Sequence, residues 1–273
     1  MPELPEVETT RRGLEPLLVG RRITGAAVRN AALRWPVAPE LTTHLPGARI
    51  EAVQRRAKYL LLATDRGHLL LHLGMSGSLR VLAAGTPALK HDHVDILLDD
   101  GRCLRLRDPR RFGSILFAGA TPAAHALLAR LGPEPLELDT EALGAHLHAA
   151  SRGRRAAVKS FLMDSGVVVG VGNIYASEAL FRAGIRPNKP ASALSRPACR
   201  RVAAAIQAVL TEAIAAGGTT LRDFANSDGL PGYFAQELSV YGRAGAPCRT
   251  CGTPIREQRL GQRSTFWCPA CQR

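Results

Sequence analysis

Lysine is almost missing from this chain: only Lys58, Lys90, Lys159 and Lys189 occur in 273 residues, and every other basic side chain is an arginine. Acid is in short supply too, with 23 Asp and Glu against 36 Lys and Arg, a formal net charge of +13. No uninterrupted apolar run approaches the ~20 residues that a membrane-spanning helix needs, and the first residues do not read as a secretory leader. Cysteine is sparse, six in all, and only Cys103 and Cys199 lie outside one C-terminal cluster. Those two are expected to act as small buried hydrophobes. These absences argue against an integral membrane protein and against a secreted, disulfide-stapled one. A cytoplasmic protein is the expectation. The shortage of acid points to a polyanionic partner, because each phosphate neutralised by a cation releases condensed counterions. A genomic bias would also enrich Arg and Ala, but it would not cluster them. Residues 105–111 hold four arginines, and residues 152–159 hold four basic side chains and no acid.

The cysteine cluster is the least ambiguous chemistry present. Cys248 and Cys251 form one CxxC, Cys268 and Cys271 a second, with 16 residues between the pairs. Four thiolates at this spacing close a tetrahedral shell around one Zn²⁺. Two disulfides are the other use of four such cysteines, and a reducing compartment disfavours them. With four ligands and no open position the metal is expected to be structural, holding a short hairpin that would not fold unaided. Between the inner cysteines stand Arg256, Arg259 and Arg263 against a single acid, Glu257, the make-up of a nucleic-acid finger.

The chain opens MPELPEVETT. Removal of Met1 ahead of the small Pro2 would leave a secondary α-amine, whose pKa of about 8 keeps much of it unprotonated at neutral pH. Such an amine attacks a sugar carbon or aldehyde and yields an iminium, an electron sink for eliminations. Glu3, Glu6 and Glu8 stand beside it, placed to move protons. A frayed terminus with an ordinary Pro-Glu turn is the competing reading.

Helical periodicity runs over 7–18 and ends at Gly20. The pattern then alternates, with strands expected at 22–28, 49–56, 59–63, 68–73, 78–82, 94–98, 103–107 and 114–118. Asp65-Arg66-Gly67 and Asp99-Asp100-Gly101 are hairpin turns. Closely spaced strands with short turns indicate an antiparallel β-sandwich. Three stretches in it carry chemistry. Lys58, at a strand start, is a second amine, a phosphate or proton-transfer group, or a plain solvated lysine. His72 to Gly77 (HLGMSG) sets Met75 in a glycine-flanked turn. Asp108 to Gly113 (DPRRFG) sets Arg110, Arg111 and Phe112 on a tight turn, where a ring can wedge a base step and a guanidinium can meet an unpaired base.

Gly132-Pro133-Glu134-Pro135 reads as a linker. Beyond it helices are expected at 140–149, 155–163, 174–183 and 197–216, the last with Val202, Ile206, Val209 and Ala213 along one face. Gly170-Val171-Gly172-Asn173 opens a helix with Asn173 as its N-cap, and N–H groups at such a start suit a phosphate. Residues 217–233 form a loop long enough to be functional.

Taken in order, PELPEVET, Lys58, LGMSG, KHDHVD, DPRRFG, VGVGNIYASE and QRSTFWCPxCQ resemble the bacterial formamidopyrimidine-DNA glycosylases, from residue 2 to the C-terminus. The related endonuclease VIII enzymes share the Pro-Glu start and the finger but prefer oxidised pyrimidines; DPRRFG and PELPEVE resemble the purine enzymes.

The resemblance implies an α+β chain in several parts. These are a β-sandwich catalytic domain at 1–132, a linker at 133–139, a helix-two-turn-helix domain with a lesion loop at 140–237 and a zinc-finger β-hairpin at 238–273. It implies a monomeric base-excision repair enzyme acting on double-stranded DNA that contains oxidised purines. Pro2 would form the imine at C1′ and Glu3 would move the proton to the sugar. Lys58 would assist β-elimination and Arg263 δ-elimination. Met75, Arg110 and Phe112 would fill the void left by a flipped base. His91, Arg154, Lys159 and Asn173 would contact DNA. The loop at 219–233, with Arg222, would close over the lesion.

Overall fold

The computed structural model describes residues 2–217 and 238–273. They fall into two compact units, one within Met1–Ala129 and one from Arg130–Ala216 with the described part of Ala235–Arg273.

The first unit opens with helix α1, Leu4–Leu18. It begins three residues ahead of the sequence expectation because an extended Glu3 serves as N-cap and Pro5 sits in the first turn, where no amide donor is needed. The Glu3 N–H donates to Glu6 Oε2 at 2.8 Å, one arm of a capping box. Val7, Leu14 and Leu18, at helical spacing, face the core.

The strands follow in two antiparallel sheets. They are β1 (Ile23–Val28), β2 (Ile50–Arg56), β3 (Tyr59–Thr64), β4 (Gly67–His72), β5 (Ser78–Ala83), β6 (Asp92–Leu98), β7 (Arg102–Arg107) and β8 (Ser114–Gly119), with a short helix α2 (Glu40–Thr43) between β1 and β2. One sheet runs β1-β6-β7-β5, the other β2-β3-β4-β8. Each of the eight expected strands is present, within two residues at either end. Alternate side chains of both sheets, among them Leu60, Leu62 and Leu69 from one and Ile96, Leu104 and Leu106 from the other, meet in one apolar core. That is the sandwich expected from the alternation. Burying a Leu or Ile is worth roughly 1.5–3 kcal/mol, so this core, not the turns, holds the unit together.

The second unit carries α3 (Thr140–Ser151), α4 (Val158–Leu162), α5 (Asn173–Arg182), α6 (Arg196–Ala215) and a hairpin of β9 (Arg256–Leu260) and β10 (Arg263–Trp267). Asp139 caps α3 by accepting from Ala142 N–H at 2.7 Å, and Ser195 caps α6 by accepting from Ala198 N–H. Helix α4 is shorter than the expected 155–163. Backbone donors Val158, Ala191 and Ser192 bond to the carbonyls of Lys189, Ala156 and Arg154, so 154–157 is tied to 189–192 in place of a first helical turn. At α5 the N-cap is Gly172, and Asn173 is the first helical residue, which corrects the expected capping role.

Candidate active site and nucleic-acid interface

Pro2 and Glu3 are not a frayed end. Pro2 is buried and Glu3 is 2% exposed at the head of α1. The bond from Glu3 N–H to Glu6 fixes the backbone there, and Glu6 is itself buried. Further along α1, Glu8 collects three guanidiniums, from Arg11, Arg12 and Arg55, at 2.9–3.2 Å. Burial opposes ionisation of Glu8, but those three arginines hold its carboxyl below the usual carboxylate range.

Lys58 lies in the two-residue loop between the paired Arg56 and Tyr59. Ala57, the first loop residue, has φ 54, a left-handed conformation costly for any residue with a Cβ. Directly across the sheet from Tyr59 is His72, their rings 4.9 Å apart. Its Nδ1 accepts the Gly74 N–H at 3.0 Å, so that nitrogen bears no proton. Burial first, then the charges of Lys58 and Arg34, push His72 down to about 4, against a partial counter-pull from Asp108. His72 is therefore a neutral imidazole among cations.

Two turns pack against each other beside it. Gly74, at φ +63, lets the Met75 turn approach the other so closely that a Cβ would come within 2.4 Å of Phe112 backbone. The Asp108 carboxylate, 0% exposed, accepts Ser76 Oγ–H at 2.8 Å and Gly113 N–H at 2.7 Å, and Ser76 Oγ accepts Arg110 N–H at 3.1 Å. Phe112 is 44% exposed on this rigid base, with the Arg110 guanidinium 4.9 Å from its ring centre. Met75 is half-buried. His91 is half-buried as well, and its carbonyl accepts the Asp108 N–H at 3.0 Å. So Met75, Arg110, Phe112 and His91 all hang on groups bonded to Asp108.

In the second unit, Arg154 is exposed, 3.4 Å from an equally exposed Asp164. Asn173 Nδ2 donates to the Tyr241 hydroxyl at 3.3 Å, while its buried Oδ1 meets no donor among the described residues. Lys159 has partners inside the protein. It is 1% exposed, and its ammonium donates to Ser264 O and Thr265 Oγ1, both at 2.8 Å. A lysine so enclosed braces the finger's strand β10. Arg263 begins β10 at the exposed tip of the hairpin. Gly261 and Gln262 before it have φ 53 and 62, the two positive values of a type I′ turn. On α5, Glu178 accepts N–H bonds from Ser239, Val240 and Tyr241 at 2.8–3.0 Å and anchors the approach to the finger.

The four cysteines converge: the Sγ atoms of Cys248, Cys251, Cys268 and Cys271 all lie within 4.8 Å of one another. Separations of 3.4–3.9 Å between them bracket the ~3.8 Å edge of a tetrahedron with 2.3 Å Zn–S bonds. Without a cation these thiols cannot ionise together. Hydrogen bonds from Thr253 bring Cys251 down to about 6, and Cys251 in turn pushes Cys271 up to about 12. The donor set fits one structural Zn²⁺, which would supply the charge four thiolates need. No described helix is long and apolar enough to cross a membrane.

Comparison with known proteins follows this division. Residues 1–115 match the model of the formamidopyrimidine-DNA glycosylase N-terminal domain, 131–225 that of the formamidopyrimidine-DNA glycosylase H2TH domain, and 245–273 that of the zinc finger found in FPG and IleRS. A formamidopyrimidine-DNA glycosylase of Alkalilimnicola ehrlichii is 63% identical over the whole of both chains. The chain belongs to the formamidopyrimidine-DNA glycosylase family.

Members of the family have been solved. The MutM (FPG) protein of Thermus thermophilus is 40% identical, with a TM-score of 0.88 over 99% of this chain and 98% of its own. A Lactococcus lactis FPG variant bound to Fapy-dG-containing DNA is 33% identical, with a TM-score of 0.89 over the whole of both chains. The Lactococcus protein has also been solved with DNA containing an abasic site or an oxidised pyrimidine. The chain is thus a DNA glycosylase of DNA repair carrying a four-cysteine zinc finger. Within this glycosylase, reading the sequence missed His72, Asp108, Ser76 and Glu178. HLGMSG and DPRRFG signalled two turns, but nothing local in either says that one carboxylate joins them. The loop at 219–233, with Arg222, lies outside the described residues.

Proposed function

We propose that the chain is a bifunctional glycosylase/lyase that excises oxidised purines, 8-oxoguanine and formamidopyrimidines, from duplex DNA. With Met1 removed, the Pro2 nitrogen attacks C1′ of the damaged nucleoside. The N-glycosidic bond breaks with its electron pair going to the base, and Glu3 transfers the proton to the sugar. The ring-opened iminium then acidifies C2′, so that β-elimination expels the 3′ phosphate with Lys58 assisting. A δ-elimination assisted by Arg263 expels the 5′ phosphate. One observation carries the reading: Pro2 and Glu3 stand together, both buried, at the head of α1, with the Glu3 N–H bonded to Glu6, where an amine and a carboxyl can share one sugar.

The base has to leave the stack to be reached. Exposed Phe112, with half-buried Met75, suits the void, and Arg110 suits the orphaned cytosine, because a guanidinium has only donors and cytosine offers O2 and N3. Exposed Arg154 and the α5 start at Asn173 suit phosphates, and so does His91. A single flipped base needs a single site, which favours a monomer; the cytoplasm is its expected place. The oxidised pyrimidine bound by the Lactococcus protein favours a second reading, in which oxidised pyrimidines are also accepted.

The test is cleavage of matched duplexes with 8-oxoguanine opposite C, 8-oxoguanine opposite A, or an oxidised pyrimidine. The proposal predicts fastest cleavage opposite C, gaps bearing phosphate at both ends, and a loss of roughly ten- to a hundredfold of the preference for C in Arg110→Ala. Faster cleavage of the pyrimidine lesion than of 8-oxoguanine opposite C would reverse the assignment.

A further inference from the structure

We propose that Arg55 is a positioning residue that ties the helix carrying Pro2 and Glu3 to the hairpin carrying Lys58, keeping the two amines in register. The inference rests on the reading of Pro2 and Lys58 given above. Arg55 lies on β2, and its side chain is 10% exposed. Its Nε donates to Glu8 Oε2 on α1 at 3.1 Å, and its Nη1 donates to the Ala57 carbonyl at 3.0 Å. Arg11 reinforces the same junction, bonding Glu8 through Nε and Nη2 and the β2 carbonyl of Val53 through Nη1 at 3.3 Å.

The carbonyl that Arg55 holds is the one immediately before Lys58. Ala57, at φ 54, holds the first loop position in a conformation that glycine normally fills. Alanine in that conformation persists only if its surroundings hold it there. Among those surroundings are the packing around its buried methyl, the residue being 3% exposed, and the guanidinium on its carbonyl. That bond restrains the peptide between Ala57 and Lys58, and its loss weakens the hold on the direction in which the lysine leaves the loop. Arginine suits the task because one rigid fork reaches two acceptors from different elements, which a lysine ammonium does not do with fixed geometry.

The experiment measures single-turnover cleavage of abasic-site DNA, with borohydride trapping and peptide mapping. It uses the full-length protein, Arg55→Gln, Ala57→Gly and the double variant. Arg55→Gln is expected to slow cleavage roughly tenfold or more, and Ala57→Gly alone to stay near the parent rate. The double variant is expected to regain most of the loss, because glycine takes a positive φ without help. A generally stabilising ion pair would not be rescued by that glycine. Parent-like cleavage by Arg55→Gln, or a loss that Ala57→Gly leaves unrepaired, overturns the proposal. If circular dichroism shows Arg55→Gln unfolded, Arg55→Lys, which keeps the charge but not the fork, takes its place and is judged by the same rescue. An adduct that maps away from Pro2 in the parent overturns the underlying reading and this proposal with it, whereas a Pro2 adduct with unaltered Arg55→Gln kinetics overturns this proposal alone.

Discussion

The Ser76 hydroxyl donates to the wholly buried carboxylate of Asp108 at 2.8 Å, across 32 residues of sequence, and accepts the Arg110 N–H in return. The turn bearing Met75 and the turn bearing Arg110 and Phe112 are therefore one rigid body. Asp108→Ala is expected to cost about 2–4 kcal/mol in urea unfolding, since it strands the Gly113 N–H and the Ser76 hydroxyl in a dry site. A cycle with Ser76→Ala should return a coupling of about 0.5 kcal/mol or more. Strictly additive losses would show that the two turns are held separately.

His72 makes a prediction about pH. Folded, it titrates near 4, whereas an unfolded histidine titrates near 6.5, so the unfolded chain binds more protons between those values. Its contribution to stability is complete above pH 6.5 and is lost as pH falls towards 4. The groups that set the shift after burial are Lys58 and Arg34, with Asp108 opposing. The full effect is at most about 3 kcal/mol, less for the ring's partial exposure. In His72→Gln, the fall in unfolding free energy between pH 7 and pH 4.5 should be shallower than in the parent. Parallel curves would mean that His72 protonates as readily folded as unfolded.

Arg154 and Lys159 allow a proposed phosphate contact to be told from a structural brace. Arg154→Ala should lower the slope of log binding constant against log salt by about one, with unfolding unchanged. Lys159→Met removes two buried bonds to Ser264 and Thr265, so it should lower the unfolding temperature and leave the salt slope alone. A reduced slope in Lys159→Met with unaltered unfolding would show that this lysine contacts DNA and is not a brace.

What could be read directly from the chain was local. Alternation located eight strands because a half-buried strand repeats its pattern every two residues, and two CxxC pairs located a metal site because ligand spacing is a local property. What escaped depends on partners far apart in sequence. Lys159 and Thr265 are separated by 106 residues, and Glu178 and Tyr241 by 63. Lysine in a basic run suggests a phosphate contact, and only the fold places β10 against it. Helix α4 was overestimated for the same reason: the residues at 154–157 suit a helix by composition, but the chain at 189–192 takes their backbone bonds. At α5 the capping side chain expected of Asn173 gave way to Gly172 by a shift of one position.

The most direct measurement is borohydride trapping of the protein on duplex DNA with 8-oxoguanine opposite C, followed by peptide mapping, in parallel with Pro2→Gly. The proposed mechanism predicts one covalent adduct, mapped to the N-terminal peptide at Pro2, and a much weaker one in the variant. An adduct of undiminished yield in Pro2→Gly, mapped to Lys58 or another side chain, would contradict it.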